Sequence, residues 1–276
     1  MYVGIDIGGT KTLSAVFDDD GTITESDKFP TPPSYDEFLT ELANSLAKFT
    51  TKKFVGGALA MPVTVFDREH GIGIGFNNLP WKDVPIHRDI EKIIDCPLYV
   101  DNDAKLGGLY EAVLLKDTYQ KVLYVTVSTG IGYALVVDQT IDENIGDSGG
   151  RQMMFEHDGV MTPWESFASG HAIVERYGKR AMDITDDQTW KQVCQDISQG
   201  LIELIAIMQP EVIVIGGSVG TYFERYGSFL QESLRSYELP LLKLPELMGA
   251  VHAEQAVVYG CFEIAKRMYG HGQSTS

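Results

Sequence analysis

Along the first part of the chain, apolar and polar positions alternate in three short runs, "YVGIDI", "TLSAVFD" and "GTITESDKF". Turns of Gly and Asp separate them, which predicts three consecutive strands. "PTPPS" breaks the pattern, and Phe38, Leu39, Leu42 and Leu46 then recur at helical spacing from Tyr35 to about Phe49, with Ser34 as N-cap. A strand is expected at "FVGGALAM", turn-rich chain as far as "NNLPWKDVP", a helix over about Ile86 to Ile94, the strand "PLYVD", and a helix over about Asn102 to Leu115. The pattern then starts again. "KVLYVTVSTGIGYALVVDQTI" lies under "YVGIDIGGTKTLSAVFDDDGTI" as strand, small-residue turn, strand, Asp-containing turn, which marks an internal duplication. The second half continues with helices over about Pro163 to Tyr177 and Trp190 to Met208, the strand "EVIVIGG", a helix through "YFERYGSFLQESLRSY", and a last helix near Glu254 to Met268.

The two turns that the duplication superimposes are rich in Gly and Thr. "GIDIGGTKT" misses the Walker phosphate loop by one residue, because counting from Gly4 places Gly9 correctly but puts Thr10 where lysine must stand. It is not a dinucleotide fingerprint either, since a strand rather than a helix follows. An ordinary hairpin turn and an anion-binding turn, in which glycines let successive N–H groups converge, both fit these residues. Two halves facing each other would direct "GGTK" and "STGIG" at one ligand, the hinged clamp of sugar kinases, hexokinase and actin; that much is analogy of fold.

Composition narrows the class. The 276 residues, 44% of them hydrophobic, suffice for one large or two medium domains. A net charge of −17 argues against nucleic-acid or anionic-membrane partners, so phosphate would have to be shielded locally, by backbone dipoles and metal. Cys96, Cys194 and Cys261 are odd in number and widely spaced, which fits a reduced, cytoplasmic protein without a disulfide framework or thiolate zinc site. No basic segment with an apolar stretch precedes the first strand, and no run approaches the roughly 18 apolar residues of a membrane span. His70, His87, His171, His252 and His271 show no metal-ligand spacing.

"YVDNDAKLGG" places Asp101, Asn102 and Asp103 where a buried strand runs into a helix, a position at which open α/β sheets bind ligands. Phosphoryl transfer to an alcohol needs a carboxylate to accept the hydroxyl proton, and Asp103 is the candidate. The same residues equally suit a helix cap.

"DIGGTK", "NNLPWKDVPI", "VDNDA", "STGIG", "WESFASGHAI" and "QPEVIVIGGSV", taken in order, resemble the ROK family of bacterial sugar kinases, open reading frames and repressors over nearly the whole chain. The resemblance implies an α/β, actin/hexokinase-like, duplicated ribonuclease H-like fold of two domains with an interdomain cleft. The domains would span 1–115 plus about 254–276, carrying sugar and phosphate sites, and 116–253, binding the nucleotide. It makes Gly8, Gly9, Thr10 and Lys11 the first phosphate loop, with Asp6 close to Mg2+ through water. Thr129, Gly130 and Gly132 would form the second, and Gly216 and Gly217 would pack against the adenosine. Asn78, Asn102 and Glu165 would hold hexose hydroxyls, and Asp103 matches the catalytic base.

The implied activity is ATP- and magnesium-dependent phosphorylation of a hexose, glucose in first place, by a homodimer. A polyphosphate-dependent glucokinase and a catalytically silent sugar sensor are the competing readings. Two departures stand out. The family's "AGEIGH" and following cysteine cluster, which hold zinc, are replaced by "SGGRQMMFEHDGVMTPWE", with Gly150 at the glutamate and Met153 at the histidine, so no zinc is expected. Glu156 and His157, just beyond, are candidate replacements on the sugar side, or simply solvated loop residues.

Overall fold

The computed structural model describes residues 1–237, 243–253 and 255–270; Glu254 and His271 lie outside the described residues. The chain divides into two compact units, Met1–Tyr110 with the chain from Val257 onward, and Glu111–Ala256.

In the first unit the strands β1 (Tyr2–Ile7), β2 (Lys11–Phe17) and β3 (Ile23–Pro30) form an antiparallel meander. The helix α1 (Tyr35–Ala47) follows, its first turn capped by the Ser34 side chain, which accepts from the Glu37 N–H. β4 (Gly56–Met61) lies parallel to β1. The strands β5 (Val63–Asp67), β6 (Ile72–Phe76) and β7 (Lys82–Val84) make a separate three-stranded sheet. Residues 62–85 were expected as turns; "VTVFD" does carry a strand pattern, while alternate glycines interrupt "IGIGF" and "KDV" is only 3 residues long, so the sheet as a whole reads as turn-rich chain. The helix α2 (Ile86–Ile94) buries Ile86, Ile90 and Ile94 and ends at Asp95 in a left-handed conformation. Each such isoleucine contributes about 1.5–3 kcal/mol by leaving water. β8 (Leu98–Asn102) pairs parallel to β4 and runs directly into the helix α3 (Asp103–Leu114). The main sheet order is β3-β2-β1-β4-β8.

The second unit repeats that order. β9 (Lys121–Val127), β10 (Ile131–Val137) and β11 (Thr140–Ile141) form the antiparallel meander. A single turn of 3-10 helix at Gly149–Arg151 leads into a hairpin of β12 (Met154–His157) and β13 (Val160–Pro163). Then come α4 (Trp164–Ala168), α5 (Gly170–Tyr177), α6 (Asp187–Met208), β14 (Val212–Gly216), the short α7 (Gly217–Gly220), α8 (Phe223–Arg235) and β15 (Glu246–Gly249); the last helix, α9 (Ala256–Tyr269), returns the chain to the first unit. The sheet reads β11-β10-β9-β14-β15, with β14 parallel to both β9 and β15. Strand-for-strand agreement with the first sheet, in both order and direction, is the duplication seen in the sequence.

The helix expected over 163–177 is two helices. Ser169 is extended between them, its hydroxyl caps α5 by accepting from the Ala172 N–H, and the Gly170 N–H leaves the helix to reach Ser128 O at 2.7 Å. Each unit has its own core: Val3, Ile5, Phe38, Leu42 and Ile90 in the first, Val125, Ile197, Leu201, Ile213 and Ile215 in the second.

Candidate functional site

Because β1, β4 and β8 run parallel, their carboxyl ends emerge along one edge of the first sheet. The register places Asp6 beside Ala60, and Ala60 beside Asp101. Asp6 and the β8–α3 turn are therefore two strands apart, about 10 Å at sheet spacing. Asp103 opens α3 with one carboxylate oxygen accepting from the Ala104 N–H at 2.8 Å. Asp6 keeps some solvent contact, yet protein atoms crowd its carboxylate. That burial first, and the Asp103 charge second, push its pKa up from 3.8 to about 7, with Lys28 opposing. Two carboxylates that repel in this way suit a hard divalent cation, and a site of one or two carboxylates fits magnesium, which keeps most of its waters. Among the described residues no cluster of three or more His, Cys, Asp or Glu could hold a metal.

The Gly8–Lys11 turn joins β1 to β2 at the same edge, closed by the Gly8 N–H to Lys11 O at 2.9 Å. Thr31, which no motif singled out, pins it: the hydroxyl donates to Gly8 O at 2.8 Å and the N–H to Thr10 O at 3.0 Å. Thr10 and Lys11 are exposed. Asn78, in the left-handed region at φ 62°, packs on this turn so closely that a Cβ added to Gly9 would stand 2.9 Å from the Asn78 Cβ. Asn102 is buried, its amide nitrogen donating to Val63 O at 2.9 Å and its oxygen accepting from the Ala104 N–H. The first unit thus brings Asp6, Gly8, Gly9, Thr10, Asn78, Asn102 and Asp103 together at one sheet edge.

In the second unit Thr129 and Gly130 lie in the β9–β10 turn and Gly132 is the second residue of β10. The Glu165 carboxylate accepts the Ile131 N–H at 2.9 Å, and Arg151 Nε approaches its other oxygen at 3.4 Å. Glu165 therefore braces this turn from below. Gly150 is buried, and a Cβ there would lie 3.0 Å from Ile131 and 3.1 Å from Trp164. Glu156 is exposed on β12, while the His157 ring stacks on Phe167 at 4.2 Å. Gly216 ends β14 and Gly217, at φ 77°, begins α7. A pocket of about 410 Å³ opens beside them, lined by Ser128, Thr129, Gly170, His171, Met182 and Tyr222 among others. That is a size suited to a small organic ligand. Gly216 and Gly217 do not line it; Ser218 and Val219, which follow them, do. Met182 and Tyr222 carry no sequence motif, and only the fold brings them to the turn.

Comparison with known proteins bears on the fold and the family. A Bacillus subtilis (strain 168) protein provisionally named a fructokinase is 27% identical over 232 residues, covering 79% of this chain and 77% of its own. An N-acetylmannosamine kinase of Vibrio cholerae is 24% identical over 269 residues, 87% of this chain and 92% of its own. A ROK family glucokinase from Streptomyces griseus, solved with glucose and AMPPNP, superposes with a TM-score of 0.80 at 19% identity over 96% of this chain and 99% of its own, and so shares the fold. The ROK family model matches residues 2–268, and the chain belongs to the ROK family.

Proposed function

We propose that this protein is a sugar kinase that transfers the γ-phosphoryl group of ATP to a hexose hydroxyl, glucose being the first acceptor to examine. The observation that carries the reading is the meeting, at one edge of the first sheet, of a pinned Gly-Gly-Thr turn with Asp6, Asp103, Asn78 and Asn102. An ATP site is supported by the pocket beside the β9–β10 turn. The similarity to kinases of fructose and N-acetylmannosamine supports the reaction class and leaves the acceptor to be decided by this chain's own residues.

Asp103 would accept the hydroxyl proton as the oxygen attacks phosphorus and the bond to ADP breaks. Asn78 and the remaining capacity of Asn102 would orient the sugar; each of the two turns offers backbone N–H groups suited to phosphate oxygens. Magnesium, when bound, supplies positive charge against the phosphates, and Asp6 is the residue that would hold it. Gly150 leaves no side chain where the family's glutamate reaches the sugar, and Glu156 and His157 are the proposed substitutes on that side. The buried, unpaired thiols of Cys96, Cys194 and Cys261 support placing the protein in a reducing cytoplasm.

A sugar-binding protein without turnover is the competing reading, favoured by Gly150 and Met153 at two positions where the family carries polar groups. Binding alone, however, needs neither a pinned phosphate turn nor a crowded Asp6 carboxylate within reach of the Asp103 charge. The deciding experiment is ADP release with magnesium across glucose, fructose, mannose, allose and N-acetylated hexosamines, with ATP and with polyphosphate as donors. Turnover on any of these supports the kinase; sugar binding without turnover establishes the alternative.

A further inference from the structure

We infer that Arg68 is a positioning residue for phosphoryl transfer, holding both the turn that carries Asp103 and the hairpin that leads to Asn78; the inference rests on the kinase reading above.

Asp101, immediately before Asn102 and Asp103, has a side chain only 1% exposed. Its Oδ1 accepts from Arg68 Nη2 at 2.5 Å and from the Asn102 N–H at 2.8 Å, and its Oδ2 accepts from the Tyr99 hydroxyl at 3.0 Å. The carboxylate therefore fixes the backbone at the very residue where β8 becomes α3. A buried carboxylate keeps such a post only while a cation faces it. Arg68 is that cation, its side chain one-third exposed and its guanidinium 5.5 Å from the centre of the Phe66 ring.

Arg68 follows β5 directly, and β5 is tied to the same turn at its other end, where Asn102 Nδ2 donates to Val63 O at 2.9 Å. The paired strand β6 leads into Asn77, whose N–H reaches Pro62 O at 2.7 Å, and then into Asn78. One strand, held to the β8–α3 turn at both ends, thus sets the proposed sugar contact and the proposed base relative to each other. The Gly8–Lys11 turn is pinned independently, through Thr31. Loss of Arg68 should therefore disturb sugar placement and transfer while leaving nucleotide affinity alone.

The test is steady-state ADP release by Arg68→Met and Arg68→Lys beside wild type and Asp103→Asn, varying sugar and ATP separately, with thermal melts of each variant. We expect Arg68→Met to lower kcat about 100-fold, the cost of a misplaced reacting group. The KM for sugar should rise, the KM for ATP should stay at the wild-type value, and Arg68→Lys, which keeps one charged donor, should recover part of both losses. Wild-type kinetics in Arg68→Met would overturn the inference. So would a fall in kcat with both KM values unchanged, which signals only a smaller folded fraction. If Arg68→Met does not fold, Arg68→Lys is read by the same criteria, with a smaller shift in the same direction expected. Should wild type turn over no sugar, or Asp103→Asn keep full activity, it is the kinase reading that fails; turnover lost in Asp103→Asn but unchanged in the Arg68 variants removes the inference alone.

Discussion

Replacing Asp6 by Asn should stabilise the protein and inactivate it at once, and the stabilisation should depend on pH in a defined direction. Burial and the neighbouring Asp103 raise the Asp6 pKa from 3.8 to about 7. A carboxyl that is harder to ionise in the folded state binds its proton more tightly there than in the unfolded chain. Its contribution to stability is therefore complete below pH 4 or so, declines as pH rises towards 7, and above that leaves the full penalty of a charged, crowded carboxylate. The rise corresponds to ~4 kcal/mol as an upper bound. Partial solvent contact and relaxation of the turn bring the expected penalty at pH 8 to ~2 kcal/mol.

Asparagine keeps the shape and removes the charge. Asp6→Asn should therefore melt about 4–8 °C above wild type at pH 8, given ~2–4 °C per kcal/mol for a chain of this size. The difference should shrink steadily between pH 7 and pH 5. Matched thermal melts at three pH values, without divalent cation, measure it. Adding magnesium and ADP should narrow the gap at pH 8 by favouring the charged form of wild type. A variant less stable than wild type, or a gain of equal size at all three pH values, would refute the account of Asp6 as a strained carboxylate kept for its charge.

Other substitutions test separate parts of the site. Thr31→Val keeps the volume but removes the donor to Gly8 O, and should cost about 1 kcal/mol in a denaturant melt and raise the KM for ATP. Gly150→Glu restores the family's residue type where a Cβ already meets Ile131 and Trp164; it should cost about 1–3 kcal/mol and give no gain in turnover. Glu165→Ala strips the charged acceptor from the Ile131 N–H and should destabilise by about 1.5–3 kcal/mol, with a higher KM for ATP because the β9–β10 turn loses its brace.

Much of the fold was legible because its strongest signals are periodic. Ile86, Ile90 and Ile94 mark α2 by spacing alone, and the repeated strand–turn–strand pattern announced two sheets of one design. What escaped was set by tertiary context. In the β5–β7 sheet β6 is interrupted by glycines and β7 is very short, and the β12–β13 hairpin is built from residues that read equally well as loop. The break at Ser169 exists because Gly170 bonds to a carbonyl forty-odd residues away, which no local pattern records. At the site, motifs named the residue types, but the raised pKa of Asp6 comes from burial first and the Asp103 charge second, both products of the folded sheet, and Arg68 is tied to Asp101 across 33 residues of chain. Nothing in "FDREHG" distinguishes that arginine from a solvated one.

The central claim is that Asp103 takes the proton from a sugar hydroxyl during transfer from ATP. Its most direct test compares wild type with Asp103→Asn in a coupled ADP-release assay on the best sugar, alongside calorimetric sugar affinity for both. We predict a kcat lower by about 10²–10⁴ in the variant with sugar affinity largely retained. Wild-type turnover by Asp103→Asn would contradict the claim.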